Sequence, residues 1–106
     1  MLVVFVKENS WIARFAAYKL HSKSCAIVFN RTIHLYNVTK THLLQDQSYL
    51  RHEVAHVKQW QLHGLFAFTF WYIWYSIRHG YYNNPFEKEA RLAEQNAQIM
   101  EGVIIL

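Results

Sequence analysis

The chain has 106 residues, the length of one domain, with room for a single hydrophobic core. Its hydrophobic content of 53% and aromatic content of 17% exclude an intrinsically disordered chain. The net charge of +4 permits attraction to an anionic surface, and the single cysteine, Cys25, excludes an internal disulfide. We therefore expect one domain over residues 1–106.

The N-terminal segment at residues 2–6 is apolar and predicts a short strand. It is shorter than the hydrophobic region of a signal peptide, and no basic residue precedes it. We therefore expect a cytoplasmic protein, with peripheral association with a membrane left open.

Ser10 is a suitable helix N-cap and predicts a helix that runs to about Leu20. The apolar side chains of this segment recur near helical spacing, so we expect Arg14 and Lys19 to point outward. These apolar positions are Trp11, Ile12, Phe15 and Tyr18.

Two strands of a hairpin are predicted next. Residues 25–29 are rich in residues that favour strands, and residues 32–36 alternate between apolar and polar side chains. Asn30 and Arg31 between them have the length of a tight turn. We expect the strand at 32–37 to offer an edge to an extended peptide, and His34 to lie at the surface.

The longest amphipathic helix is predicted from about Asp46 to His63, and Gly64 breaks or caps it. Thr39 or Thr41 begins a structured segment before it. The expected inner face consists of Leu43, Leu50, Val57 and Trp60. The expected outer face consists of Gln47, Arg51, Val54, Lys58 and Gln61.

This helix contains the pattern H-E-x-x-H at residues 52–56. His52 and His56 are four residues apart and share one face, so both imidazoles can bind one zinc ion. Glu53 lies about 100° round the helix, where its carboxylate can take a proton from a water at the metal. The alternative is an ordinary helix that contains two of the chain's seven histidines.

Residues 65–77 are apolar or aromatic on nearly every side of a predicted helix. Such a helix is buried, packed on a partner, or lies in a membrane interface. Its length of roughly 20 Å is short of the ~30 Å hydrocarbon core of a bilayer, so we expect no membrane span. Because no basic residues are interleaved, we expect no nucleic-acid partner.

We predict a last helix from Asn84 to Gly102, because Asn84 is a suitable cap and Pro85 follows it at the first helical position. Ala90, Ala93 and Ala97 form a stripe of small side chains that lets another helix approach closely. A catalytic zinc ion usually takes three protein ligands, so a third ligand is needed.

Glu87 and Glu89 are the candidates for this third ligand. Simpler explanations of Glu87 are a capping box with Asn84 and an ion pair with Arg91. Glu89 also suits a solvated first turn.

The sequences His52-Glu53-Val54-Ala55-His56 and Asn84-Pro85-Phe86-Glu87-Lys88-Glu89-Ala90 resemble the core of a gluzincin-type zinc metallopeptidase. More closely, they resemble small predicted metallopeptidase domains with H-E-x-x-H-x-x-Q and a Glu on the next helix but one. The resemblance covers residues 50–97. Its downstream pattern, E-x-x-x-D, implies Glu87 rather than Glu89 as third ligand. Arg91 stands where the family's Asp supports a ligand histidine.

Three other residues near the motifs have two interpretations each. Gln59 either orients a site group or is a surface amide, the second being favoured. Tyr81 and Tyr82 either pack their rings in a loop, the favoured reading, or donate a hydrogen bond to an oxyanion. His63 lies about two turns from His56, too far to share its metal.

The sequence thus predicts an α+β fold, minimal and zincin-like, with a small antiparallel β-hairpin packed on three to four helices. The expected function is a zinc-dependent metallohydrolase, with a peptide or protein as substrate. His52, His56 and Glu87 would hold Zn2+, and Glu53 would be the general base. The alternative is a catalytically degenerate metal-binding module, or one that docks on a membrane or partner through residues 65–77.

Overall fold

Five α-helices and four β-strands make up the protein in a computed structural model that describes all residues 1–106. In chain order they are β1 (Leu2–Lys7), α1 (Trp11–Lys19), β2 (Cys25–Phe29), β3 (Thr32–Tyr36), α2 (Lys40–Gln45), α3 (Gln47–His63), α4 (Leu65–His79), α5 (Pro85–Ala93) and β4 (Val103–Ile105). A short 3-10 helix at Ala97–Met100 precedes β4. The predicted α+β architecture and the antiparallel hairpin of β2 and β3 are confirmed.

The four strands form one mixed sheet in the order β2-β3-β1-β4. β2 and β3 are antiparallel, with Phe29 opposite Thr32 across the turn, whereas β1 is parallel to both β3 and β4. The prediction that β3 offers an edge is wrong, because β3 is paired on both sides. The free edges belong to β2 and β4.

α3 packs its apolar side against the sheet and forms the centre of the hydrophobic core. Leu50, Val54 and Val57 lie in one cluster with Ile33 and Leu35 of β3. Val54 is fully buried, so its predicted place on the outer face is wrong. Because α3 contacts the sheet, α4 and α5 together, its buried surface is wider than one stripe. Asp46 caps the helix by accepting a hydrogen bond from the Tyr49 amide.

α1 packs on the other face of the hairpin through small side chains. Ala13 and Ala17 are buried, and the predicted N-cap Ser10 is confirmed. His34 alternates with Ile33 and Leu35, so it points to the α1 side, where its Nδ1 lies 2.8 Å from Ser10 Oγ. The prediction of a surface position for His34 is therefore wrong.

α5 begins as predicted, with Asn84 as cap and Pro85 at the first position, but it ends at Ala93. The predicted end at Gly102 is wrong, since Asn96 caps the 3-10 helix that turns the chain back. The apolar C-terminal segment then forms β4 beside β1. Ala90 and Ala93 of α5 pack against Ala55 of α3, which confirms the close approach of two helices for these two residues. The predicted place of Ala97 in the same stripe is wrong, because Ala97 lies in the 3-10 helix and is exposed.

Gly64 joins α3 to α4, and its φ of 81° is a backbone conformation that favours glycine. Only one side of α4 packs against the rest of the protein. Phe68 is its single buried residue. No helix has both the length and the apolar character needed to pass through a bilayer.

Candidate metal site

α3 and α5 bring two imidazoles and one carboxylate together. The rings of His52 and His56 lie one turn apart on α3 and meet edge to face, with centroids 5.0 Å apart and planes at 73°. Their Nε2 atoms lie 3.2 Å and 3.1 Å from the two carboxylate oxygens of Glu87, in the first turn of α5. One ligand atom from each residue lies within 4.8 Å of the other two, so the three can hold a metal ion.

Neither simpler explanation of Glu87 describes its contacts. The carboxylate is 3% exposed and makes no ion pair with Arg91, whose guanidinium donates to the Tyr82 carbonyl and lies over the Tyr82 ring. The Asn84 side chain caps α5 by accepting from the Phe86 amide, and no capping box forms with Glu87. Glu87 instead faces the histidine pair, and Tyr72 Oη donates to its Oε2 at 2.6 Å.

Gln59 fixes the orientation of His56. Its amide nitrogen donates to the Phe86 carbonyl and to Glu89 Oε1, both at 2.9 Å. Its Oε1 therefore points at His56 Nδ1, 2.8 Å away, and accepts a hydrogen bond from that nitrogen. Gln59 is only 2% exposed, so the prediction of a surface amide is wrong and its interpretation as an orienting residue is favoured.

Glu94 fixes the orientation of His52, as Gln59 does for His56. Its Oε2 lies 2.8 Å from His52 Nδ1, and a carboxylate can only accept there. The side chain comes from the C-cap of α5, two turns beyond Glu87. An acid three residues after Arg91 thus contacts the outer nitrogen of His52.

Both Nδ1 atoms therefore carry a proton, and both Nε2 atoms face Glu87. Because the Glu87 carboxylate can only accept, each Nε2 also carries a proton in these contacts. Loss of that proton gives the neutral imidazole, whose Nε2 lone pair can bind a metal. Two imidazole nitrogens and one carboxylate form a donor set that catalytic zinc takes in proteins. The residues present fit a zinc ion.

Burial and neighbouring charges shift the acid–base behaviour of these groups. Burial alone would lower the pKa of His52, but the hydrogen bond with Glu87 and the charge of Glu53 raise it to about 9. Burial would also lower the pKa of His56, but the hydrogen bond and charge of Glu87, with the charge of Glu53 and the hydrogen bond of Gln59, together raise it. Conversely, burial would raise the pKa of Glu87, but the hydrogen bonds with His52 and His56 hold it well below the usual range.

Glu53 lies beside the three residues and makes no hydrogen bond to the protein. It is almost fully buried and lines the same cleft as His56 and Glu87. Burial raises its pKa to about 7, against the lowering effect of the two histidines. Near neutral pH this carboxylate can both take up and release a proton.

The cleft beside the site has a volume of about 240 Å3 and a largely apolar lining. The whole of β2 forms one wall, and side chains of α1, α3 and α4 complete it. Tyr81 reaches this cleft, and burial followed by the charge of Glu87 raises its pKa. Of the two loop tyrosines, Tyr81 is therefore near the site, whereas Tyr82 packs against Arg91.

The sequence brought out His52, His56, Glu53 and Glu87, and the structure places them together. Glu94 and Tyr72 were not predicted as site residues, and Gln59 was predicted as a surface amide. The spacing of seven residues between Glu87 and Glu94 was a signal, because it puts both on one helix face. No comparable signal in the sequence indicated Tyr72, because the helix that carries it is apolar on nearly all sides.

Glu89 and His63 lie outside the group of three candidate ligands. Glu89 is exposed, as predicted, and accepts from Gln59. His63 is also exposed; its ring stacks on Phe68 and meets Phe86 edge to face.

Comparisons of the chain with protein-family models, curated proteins and solved structures found no significant match in any of the three.

Proposed function

We propose that this protein is a zinc-dependent peptidase, with His52, His56 and Glu87 as metal ligands and Glu53 as general base. The observation that supports this most is the arrangement of the two imidazoles. Each has its Nδ1 held by an acceptor, and each directs its Nε2 at the same buried carboxylate. An ion pair needs no such pair of outer acceptors, whereas metal-binding histidines typically have them.

A zinc ion held by these side chains would polarise a peptide carbonyl and an adjacent water. Glu53 takes the proton from that water as its oxygen attacks the carbonyl carbon. The same carboxyl then gives the proton to the amide nitrogen as the C–N bond breaks. A pKa of about 7 suits both transfers, because the group is close to half protonated at neutral pH.

The substrate would lie along β2. This strand is a free edge of the sheet and lines the cleft, so an extended peptide can pair with its backbone. Tyr81 lies at the same cleft and can donate a hydrogen bond to the carbonyl oxygen as negative charge develops there. Its phenol stays protonated at neutral pH, since its pKa is raised.

The test is hydrolysis of a peptide library by the zinc-loaded protein, with Glu53→Gln beside it. The substitution keeps the shape of the side chain and removes the base. We expect Glu53→Gln to bind zinc as the parent does and to lose activity by a factor of about 10^2 to 10^4. Glu101→Gln, at an exposed acid far along the chain, is the matched control and should keep full activity.

A Glu53→Gln variant that cleaves peptides as fast as the parent would contradict the proposed mechanism. Zinc binding by the parent without hydrolysis of any peptide would instead favour the alternative, a metal site that only stabilises the fold.

A further inference from the structure

The outward face of α4 is apolar. The helix packs inward through Phe68 and Tyr72. The opposite side carries Phe66, Phe70, Ile73 and Ile77, spaced as one helical stripe, with Phe66 86% exposed and Ile77 78% exposed. A helix with this pattern lies against something other than water.

α1 carries a second apolar stripe. Trp11, Phe15 and Tyr18 recur at helical spacing and are all exposed, because Ala13 and Ala17 fill the contact with the sheet. Leu20, directly after the helix, is exposed as well.

The two stripes border one opening. Ala16 and Leu20 line the cleft from the α1 side, and Thr69 and Ile73 line it from the α4 side. Leu20 and Ile73 therefore lie at the cleft, and the other exposed apolar residues lie on the same two stripes. This surface, the apolar rim, consists of Trp11, Phe15, Tyr18, Leu20, Phe66, Phe70, Ile73 and Ile77.

The two chain segments that form the apolar rim carry only positive charge. Residues 9–45 contain no acid, and the segment includes five cations, which are Arg14, Lys19, Lys23, Arg31 and Lys40. Residues 54–86 contain no acid either, and Arg78 ends α4. A second copy of this surface would bring like charges together, whereas an anionic surface is complementary to it.

We propose that the apolar rim docks on the surface of an anionic lipid bilayer. Tryptophan and tyrosine are enriched at the interface between headgroups and acyl chains, and both occur in α1 and α4. Lysine and arginine beside them attract anionic headgroups. α4 lies in the plane of the interface, and the cleft opens toward the membrane. This inference does not depend on the peptidase function.

The test is co-sedimentation of the full chain with vesicles of phosphatidylcholine, alone or mixed with phosphatidylglycerol. We expect the protein to pellet with the anionic vesicles. The double variant Phe66→Ser/Phe70→Ser should weaken binding by about tenfold or more, because it removes two inserted aromatic side chains. Arg14→Gln/Lys19→Gln should weaken binding to the anionic vesicles by about tenfold, with little change for the neutral ones.

The matched control is Leu62→Ser/Leu92→Ser. These leucines are 80% and 77% exposed but lie together on the side where α3 meets α5. Binding should not change in this variant, and circular dichroism should show native helix content in all variants.

Three results would overturn the proposal. The first is a parent protein that stays in the supernatant with both kinds of vesicle. The second is equal loss of binding in both serine double variants. The third is a dimer in light scattering that Phe66→Ser/Phe70→Ser dissociates, without vesicle binding, which would identify a second copy as the occupant.

Discussion

Gln59 shows how strongly one buried amide can determine the chemistry of its neighbour. Both of its N–H donors are used by Phe86 and Glu89, so only its oxygen can face His56. That contact fixes the tautomer of His56 and leaves Nε2 directed at Glu87. Glu94 fixes His52 in the same way. The two outer contacts therefore determine which ring nitrogen each histidine directs at Glu87.

Replacing Gln59 with Leu should lower zinc affinity about 10- to 100-fold, since His56 Nδ1 loses its acceptor while the side-chain volume is nearly kept. Competition with a fluorescent zinc chelator measures the effect. Gln61→Leu is the control, because Gln61 lies on the same helix but is exposed and bonds only Asn30. Equal zinc affinity in the two variants would show that His56 needs no outer partner.

At the scale of elements, the position of Glu87 depends on how closely α5 approaches α3. That contact is formed by three buried alanines, whose small side chains let the two helices lie close together: Ala55, Ala90 and Ala93. The helix N-cap at Asn84 sets where α5 begins, and Asn84 Nδ2 also donates to the Tyr72 carbonyl of α4. One asparagine thus connects the start of α5 with the helix that carries Tyr72.

Ala90→Leu should lower the free energy of unfolding by about 1–3 kcal/mol, because a larger side chain forces α5 away from α3. Chemical denaturation followed by circular dichroism measures it. Lys88→Leu, at an exposed position of the same helix, should change stability by less than about 0.5 kcal/mol. Similar losses in both variants would mean that the contact between the helices is not tightly packed.

Local signals in the sequence were sufficient for most elements. The caps Ser10, Asp46 and Asn84 and the breaker Gly64 act within a few residues, so the starts of α1, α3 and α5 and the end of α3 could be predicted. The pairing of Val103–Ile105 with β1 could not, because its partner lies about a hundred residues away in the chain. The order of the strands, and hence the free edge at β2, is non-local in the same way.

The residues of the candidate site also differ in whether local sequence could predict them. His52 and His56 could be read from one helix, and Glu87 followed from a resemblance. The roles of Gln59, Glu94 and Tyr72 depend on contacts between helices, which no single segment of sequence determines.

At the scale of the whole molecule, the acids of the candidate site are buried, whereas the apolar side chains of the apolar rim are exposed. Glu53 and Glu87 are buried and line the cleft, and the apolar rim reaches the same cleft through Leu20 and Ile73. If both proposals hold, substrates reach the zinc site along β2 from the membrane side. Each proposal nevertheless has its own test, because vesicle binding requires no zinc and Glu53→Gln leaves the apolar rim unchanged.

The central claim, that His52, His56 and Glu87 hold a divalent ion, is tested most directly by elemental analysis after incubation with zinc and removal of the excess. We expect one zinc per chain in the parent and in Glu89→Ala, and almost none in His52→Ala or Glu87→Ala. Circular dichroism should show that the variants keep their helices. A folded parent without zinc, or a Glu87→Ala variant that retains it in full, would contradict the account.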